Sequence, residues 1–128
     1  MDNIIQLEHT EDTPKVVLNN TLGEFSISGR SLPENAVAFY LPIIDWLNKF
    51  CAEETSPINF DFKLDYFNTA SAKQITKVLL VLQKIAESRD VKINWHYLVG
   101  DSDIKSSGAR FAKLIKANIE LVPYYDEE

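Results

Sequence analysis

The chain has 128 residues, the length of one ordinary domain, and its 45% apolar and 25% charged residues are typical of a globular protein with a buried core. Its formal net charge of -6 argues against nucleic-acid binding and against docking on an anionic membrane, because both need a basic surface. Cys51 is the only cysteine, so no intramolecular disulfide can form, and no secretory signal opens the chain. We therefore expect one cytoplasmic domain over residues 1–128, with no nucleic-acid partner and no membrane insertion.

The N-terminal part of the chain predicts a lead-in followed by two short strands. Residues 1–14 are polar and acidic, and we expect an extended lead-in before the first clear element. The segment 15–20 and the alternating segment 24–30 each predict a strand, and Gly23 supplies the turn between them. The pattern indicates a β-hairpin at the start of the fold.

The first predicted helix follows the sequence SLPE. Ser31 and Glu34 have the spacing of a capping box, in which each side chain accepts a hydrogen bond from the backbone amide of the other residue. The helix is predicted to run to about residue 52, with a kink at Pro42 because proline removes a backbone hydrogen bond. Its predicted buried face contains Ala36, Phe39, Tyr40, Ile43, Ile44, Leu47 and Cys51.

Two later strands alternate between apolar and polar residues without interruption. In the segment 58–66 the apolar side carries Ile58, Phe60, Phe62, Leu64 and Tyr66. In the segment 91–97 the apolar side carries Val91, Ile93, Trp95 and Tyr97. A central strand covered by helices on both faces would be apolar on both sides. The sequence therefore predicts a sheet with helices on one face only.

Two more helices complete the predicted order β-β-α-β-α-β-α, and the sequence IELVPYY is a candidate final strand. The second helix starts near residues 69–72 and runs to about Ser88, and the third covers about 102–117. The inward residues of the third helix are predicted as Ile104, Gly108, Phe111, Leu114 and Ile115. A helical glycine costs about 1 kcal/mol relative to alanine, which close approach to a neighbouring element would offset. The predicted fold class is α/β (α+β), a mixed sheet of four to five strands with three helices.

The sequence lacks the usual patterns of catalysis and metal binding. Cys51 has no obvious general base, and His9 and His96 lie in different elements. The four glycines are scattered singly, so no phosphate-binding loop is present, and no His/Cys cluster has metal-ligand spacing. Asp65 would suit a phospho-accepting aspartate at the end of a strand, but the earlier strand VVLNN lacks the acidic pair that such a site needs. We therefore expect no enzymatic activity, no cofactor and no metal site.

The junction between the strand 58–66 and the second helix, DYFNTASAK, holds more capping residues than one helix needs. Asn68, Thr69 and Ser71 can each accept from the free N–H groups of a helix N-terminus, and Ser71 and Gln74 have capping-box spacing. That end of a helix also tolerates a phosphate, so phosphorylation of Thr69 is a second interpretation. The residues alone leave both interpretations open.

Four segments of the chain resemble the SiaC family of regulatory phosphoproteins. They are TEDTPKVVL, ISGRSLPENAVAFYLPIIDWL, FKLDYFNTASAK and WHYLVGDSD…GARFAKLI, and together they cover nearly the whole chain in order. The resemblance implies a fold similar to STAS domains and anti-sigma-factor antagonists, with helices on one side of a sheet. It also implies a partner-switching protein without catalytic activity, which a dedicated threonine kinase phosphorylates and a PP2C-type phosphatase dephosphorylates.

The same resemblance implies a site and an output partner. The threonine of the Asn-Thr motif is Thr69 here, and the unphosphorylated protein is expected to bind and activate a diguanylate cyclase, a GGDEF protein. Phosphorylation would then control cyclic-di-GMP signalling, aggregation and biofilm formation. The expected partner surface contains Asp65, Tyr66, Asn68, Thr69 and Ser71. The alternative is a STAS-like module that senses a ligand, or an anti-sigma-antagonist-type module with a different output partner.

Overall fold

The computed structural model describes residues 4–50 and 56–126 of the chain. These residues form one six-stranded mixed sheet and three helices. In chain order the elements are β1 (Ile4–Leu7), β2 (Lys15–Asn19), β3 (Glu24–Ser31), α1 (Ala36–Phe50), β4 (Ile58–Phe67), α2 (Thr69–Ile85), β5 (Val91–Leu98), α3 (Ser102–Leu114) and β6 (Asn118–Tyr124). The predicted end of the first helix near residue 52, together with Cys51, lies outside the described residues.

The strands lie in the sheet in their chain order, from β1 to β6. β1, β2 and β3 are antiparallel neighbours, whereas β3, β4, β5 and β6 are parallel. The three crossovers through α1, α2 and α3 therefore step in the same direction, and the right-handed rule for such crossovers brings all three helices to one face. The parallel direction also brings the N-termini of the helices to the edge of the sheet at which β3, β4 and β5 end.

A single core lies between the helical layer and one face of the sheet. The alternating strands direct their apolar residues into it, and Phe60, Phe62 and Ile93 are fully buried. The helices contribute buried side chains that include Tyr40 and Leu79. The opposite face of the sheet carries the polar residues of the alternation, among them Asn59, Asp61, Lys63, Lys92, Asn94 and His96. The predicted mixed α/β fold, with three helices on one face of a sheet, is confirmed.

The N-terminal segment differs from its prediction. Part of the predicted lead-in, Ile4–Leu7, forms strand β1, which pairs antiparallel with β2 at the outer edge of the sheet. The sheet therefore has six strands rather than four to five. Most of β1 is exposed, and Ile5 is its residue that packs against the core. The strand is thus held mainly by backbone pairing with β2. Because such pairing does not require apolar side chains, the sequence of β1 shows little apolar alternation.

The first helix begins later than the capping box predicts. Ser31 lies at the end of β3, pairs with Phe67 of β4 and is fully buried, so it caps no helix. Instead the Asn35 side chain accepts a hydrogen bond from the Ala38 amide at 3.0 Å, and α1 starts at the next residue after Asn35 and continues through Pro42. The capping-box prediction is therefore wrong, because strand pairing holds Ser31 in the sheet.

The third helix packs closely on the sheet at Gly108, as predicted. A β-carbon at this position would lie 2.6 Å from Trp95 Nε1 and 2.7 Å from Leu121 Cδ2, so glycine fits where a larger residue would displace its neighbours. The prediction of Leu114 as an inward residue is wrong, because 70% of it is exposed. Helix α3 ends at Leu114. The next residue, Ile115, has extended backbone, and its side chain is buried in the core.

Candidate functional site

The candidate site lies where β4 ends and α2 begins, at the edge that gathers the helix N-termini. Asn68 is the N-cap of α2: it has extended backbone, and its side-chain oxygen accepts a hydrogen bond from the Ser71 amide at 2.9 Å. Its carbonyl oxygen accepts from the Ala72 amide at 2.9 Å. Of the three candidate caps in the sequence, Asn68 is therefore the one that caps α2.

Thr69 occupies the first position of α2 and is exposed. Its hydroxyl has no hydrogen-bond partner among the described residues. It lines a groove of about 480 Å³ between the N-terminal turns of α1 and α2, whose other lining residues are Glu34, Asn35, Ala36, Val37, Ala70, Lys73 and Gln74. Thr69 thus presents an accessible hydroxyl, with no partner among the described residues, on a concave surface.

Ser71 lies on the opposite side of the same helical turn. It is fully buried, and its hydroxyl accepts a hydrogen bond from the Ser31 hydroxyl at 2.9 Å. Its predicted role as a cap is wrong, because Asn68 takes that role and Ser71 points into the interior. Its hydroxyl is consequently not part of the exposed surface in this structure.

A chain of three buried hydroxyls anchors the first turn of α2. The Tyr40 hydroxyl of α1 lies 2.7 Å from the Ser31 hydroxyl, so Tyr40 donates to Ser31 and Ser31 donates to Ser71. Burial raises the pKa of Tyr40 to about 12, although the hydrogen bond to Ser31 acts in the opposite direction. The Asn68 amide also donates to the Ser31 carbonyl at 3.2 Å. These bonds join the end of β3 to both helices beneath the groove.

Asp65 and Tyr66, which the sequence analysis assigns to the expected partner surface, lie near the end of β4, where this strand is irregular. The pairing with β3 shifts by one residue there, since Gly29 pairs with Leu64 but Arg30 pairs with Tyr66. The extra residue reverses the alternation, so Asp65 and Tyr66 are both exposed. The prediction of Tyr66 as an inward residue is wrong for this reason.

The irregularity determines what Phe67 and Tyr66 contact. Phe67 turns inward and packs edge-to-face against Trp95, with 6.0 Å between the ring centroids. On the exposed side, the Arg30 guanidinium lies 5.4 Å from the centre of the Tyr66 ring. The bulge therefore brings an aromatic ring and a cation, two groups that are frequent at protein interfaces, to the exposed surface at the end of β4.

Tyr124 of β6 belongs to the same edge, and the sequence did not single it out. Burial and the nearby charges of Asp65, Asp101 and Asp126 raise the pKa of its phenol, in that order of importance. The Lys63 ammonium lies 4.3 Å from the centre of its ring. Only the pairing of β5 with β6 brings this tyrosine close to β4, so no local sequence signal could have identified it.

The two histidines that the sequence offers as candidate catalytic residues lie in different parts of the described structure, and Cys51 lies outside the described residues. His96 Nε2 lies 2.9 Å from the Asp61 carboxylate, to which the Asn94 side chain also donates at 3.0 Å, on the open face of the sheet. His9 is exposed in another segment. Within residues 4–50 and 56–126, no group of three or more metal-ligating side chains occurs. Nor does any helix in these two ranges have the length and apolarity to cross a membrane.

Comparison with known proteins gives the family. The family model described as "SiaC family regulatory phosphoprotein" matches residues 7–124, which include every element from the end of β1 to β6. The chain belongs to the SiaC family. The resemblance found in the sequence is confirmed by this match, which covers the groove and the whole of α2.

Relatives from Pseudomonas aeruginosa support the assignment. An uncharacterized protein of strain UCBPP-PA14 is 32% identical over 94 residues, which are 73% of this chain and 75% of that protein. The crystal structure of apo-SiaC is 26% identical and superposes with a TM-score of 0.84, covering 93% of this chain and 98% of that one. A chain in the crystal structure of the diguanylate cyclase SiaD in complex with its activator SiaC gives a TM-score of 0.87 at 26% identity, covering 94% and 99%.

Proposed function

We propose that this protein is a non-enzymatic regulatory phosphoprotein whose unphosphorylated form binds and activates a diguanylate cyclase in the cytoplasm. A partner threonine kinase phosphorylates Thr69 and ends the activation, and a PP2C-type phosphatase restores it. The phosphorylation state thereby controls cyclic-di-GMP signalling, aggregation and biofilm formation. Membership of the SiaC family supports this proposal, as does the description of SiaC from Pseudomonas aeruginosa as the activator of SiaD.

The exposure of Thr69 is the observation that carries the proposal. Its hydroxyl is free of hydrogen bonds to described residues, so a kinase can reach it without unfolding the helix. The first N–H groups of a helix have no partner within the helix, and the dipole is positive at this end. Lys73 lies one turn further along α2, at the spacing that brings side chains together. The helix N-terminus and Lys73 therefore both favour a phosphate at Thr69.

The switch follows from the cost of removing charge from water. An unmodified Thr69 is neutral and can be covered by a partner at little cost. A phosphate adds nearly two negative charges, which the partner would have to desolvate or pair. An unpaired buried charge costs several kcal/mol, while an association of micromolar affinity is worth about 8 kcal/mol. Phosphorylation is thus sufficient to reverse binding without any change of fold.

The proposal predicts opposite results for two substitutions of Thr69. Thr69→Ala should bind and activate the cyclase as the wild type does and should not accept phosphate from the kinase. Thr69→Glu should bind the cyclase at least about tenfold more weakly, because its carboxylate must be desolvated. Binding is measured by calorimetry, activation by the rate of cyclic-di-GMP synthesis, and phosphorylation by intact-mass spectrometry of protein from its host.

Ser102 provides the matched control, because it is also an exposed hydroxyl at the first position of a helix, α3, on the same edge. Ser102→Ala should be phosphorylated at Thr69 and should bind the cyclase like the wild type. If the phosphorylated and unphosphorylated proteins bind the cyclase equally well, the proposed switch is wrong.

A further inference from the structure

Helix α2 and most of α3 have a charge opposite to that of the protein as a whole. Helix α2 contains three lysines and no carboxylate, and residues 104–117 contain four basic residues and no carboxylate. The formal net charge of the chain is -6, yet seven of its 13 lysines and arginines lie in these two segments. The carboxylates of Glu87 and Asp103 lie just outside them, after α2 and in the first turn of α3. Positive charge is therefore concentrated on these two helices.

A hydrogen bond shows that the two basic segments meet in space. The Gln83 side chain of α2 accepts a hydrogen bond from the Lys116 amide, just after α3, at 2.6 Å. The lysines of this region are exposed, and their ammonium groups have no ion-pair partner among the described residues; they are Lys77, Lys84, Lys113 and Lys116. Their charges thus act together on one side of the helical layer.

Two exposed leucines lie among these lysines. Leu80 is 46% exposed and precedes Lys84 by one helical turn, and Leu114 is 70% exposed and directly follows Lys113. Neither leucine belongs to the core between the helices and the sheet. The six residues are called the α2/α3 face below, and this face combines cations with apolar side chains.

We propose that the α2/α3 face binds the surface of an anionic lipid membrane, with its lysines at the headgroup phosphates and Leu80 and Leu114 in contact with the acyl chains. The binding is peripheral and requires no helix to cross the membrane. Exposed apolar area and attraction to anionic lipids together hold amphipathic surfaces at a membrane. Each lysine near such a surface contributes about fivefold in affinity. The inference goes beyond the proposed function, because activation of a cyclase requires no lipid.

The composition of the face favours a membrane over a protein or a nucleic acid. Six of the seven basic residues in the two segments are lysines, whereas protein interfaces are poor in lysine and rich in arginine. A nucleic acid offers phosphates, but exposed leucines gain little from it, since bases stack on aromatic rings and guanidinium groups. A lipid layer offers phosphates for the lysines and hydrocarbon for the leucines.

The negative net charge of the chain does not prevent this binding, because many of its carboxylates lie away from the face. Asp61 and Glu120, for example, belong to the open face of the sheet, on the far side of the helical layer. A helix with its side chains is about 10 Å across, and physiological salt screens charges beyond about 8 Å. The net charge, from which the sequence argues against membrane docking, therefore does not describe the α2/α3 face.

The test is co-sedimentation of the full-length chain with lipid vesicles. Vesicles of equal parts phosphatidylglycerol and phosphatidylcholine should bind the wild type at about 50 mM salt and much more weakly at about 500 mM, because salt screens the attraction. Vesicles of phosphatidylcholine alone should bind it at least about tenfold more weakly. The double variant Lys84→Ser, Lys113→Ser should lower the affinity for the anionic vesicles at least about tenfold, and Leu114→Gln about threefold.

Two control variants separate the face from general surface effects. The double variant Lys15→Ser, Lys92→Ser removes the same charge from the open face of the sheet. Leu22→Gln alters a leucine that is 68% exposed in the turn between β2 and β3. Both should bind the anionic vesicles within about twofold of the wild type, because the altered groups lie more than a screening length from the lipid.

The outcomes separate a membrane from the other anionic partners. The inference is overturned if the wild type does not bind anionic vesicles at about 50 mM salt, or if the two lysine variants lose affinity equally. Binding of short duplex DNA that the Lys84→Ser, Lys113→Ser variant loses, together with unchanged vesicle binding by Leu114→Gln, would also overturn it. Weaker cyclase binding by that lysine variant without any vesicle binding would assign the face to a protein. Because the vesicles contain no protein, vesicle binding does not depend on the proposed function.

Discussion

At the scale of single residues, the hydroxyl chain beneath the groove shows how polar groups are used inside this protein. Tyr40, Ser31 and Ser71 are fully buried, and hydrogen bonds of 2.7 and 2.9 Å connect them. A buried hydroxyl without a partner costs about 1 to 3 kcal/mol, so each member depends on the others. Helical periodicity places position 71 on the inward face, four residues before Ile75 and seven before Val78, but Ser71 is also a suitable helix cap. The sequence alone therefore did not decide between a buried and an exposed Ser71.

Tyr40→Phe should lower the free energy of unfolding by about 1 kcal/mol near neutral pH, because Ser31 loses its donor. It should also change the dependence of stability on pH. The pKa of Tyr40 is raised from 10.0 to about 12 in the folded protein by burial. Between these values the unfolded chain loses a proton that the folded chain keeps, so wild-type stability falls by about 1.4 kcal/mol per pH unit. This contribution is fully present below pH 10.0 and is lost as the pH rises through the folded pKa.

Denaturant unfolding of both proteins at intervals from neutral to strongly alkaline pH measures this difference. The variant should show a shallower decline above the ordinary tyrosine pKa, while ionisation of the other tyrosines is common to both proteins. Tyr66→Phe is the matched control, because Tyr66 is 46% exposed and makes no buried hydrogen bond. Parallel pH curves for the wild type and Tyr40→Phe would contradict the assigned role of Tyr40.

At the scale of elements, Gly108 determines how closely α3 packs on the sheet. Gly108→Ala should lower the free energy of unfolding by about 2 kcal/mol, even though alanine favours a helix by about 1 kcal/mol. The added carbon meets Trp95, whose indole donates a hydrogen bond to the Ile104 carbonyl at 2.9 Å and therefore cannot move away freely. Denaturant unfolding checks the sign. Ser106→Ala, an exposed position in the same helix, should be neutral or slightly stabilising, and a stabilised Gly108→Ala would refute the packing argument.

The elements also show which sequence signals were sufficient. Uninterrupted alternation in β4 and β5 predicted the one-faced sheet, because a strand with one polar face cannot lie between two layers of helices. Sequence patterns gave wrong predictions where pairing with another strand determines the conformation or the burial of a residue. β1 has little apolar pattern, Ser31 stays in the sheet although it begins a capping box, and a bulge turns Tyr66 outward. Asn35 could have been recognised as a cap, and Asn68 chosen as the cap over Thr69 and Ser71, only after the ends of β3 and β4 were known.

At the scale of the whole molecule, the chain-order topology places the candidate site at one edge of the sheet. The strands β3, β4 and β5 are parallel, and each is followed by a helix on the same face of the sheet. The N-termini of the three helices therefore lie at the same edge of the sheet, and each is joined to its strand by a short connection. The sequence located Thr69 correctly at a strand-to-helix junction, but the neighbouring N-terminal turn of α1 and the groove between them exist only in three dimensions. The sequence motif thus locates Thr69, whereas the topology of the sheet forms the groove around it.

This arrangement predicts that the proposed switch at Thr69 operates without a change of fold. Thr69 is exposed and has no hydrogen bond to a described residue, so modification breaks no contact there. A negative charge at a helix N-terminus stabilises the helix by about 0.3 to 1 kcal/mol, and phosphorylated protein should accordingly unfold at the same or a slightly higher temperature. Amide chemical shifts in NMR spectra should change near the N-terminal turns of α1 and α2 and remain constant in β1, β2 and β6. Loss of stability, or shifts spread across the sheet, would instead require a conformational mechanism, in which release of the partner follows from rearrangement of the core rather than from the charge on the groove.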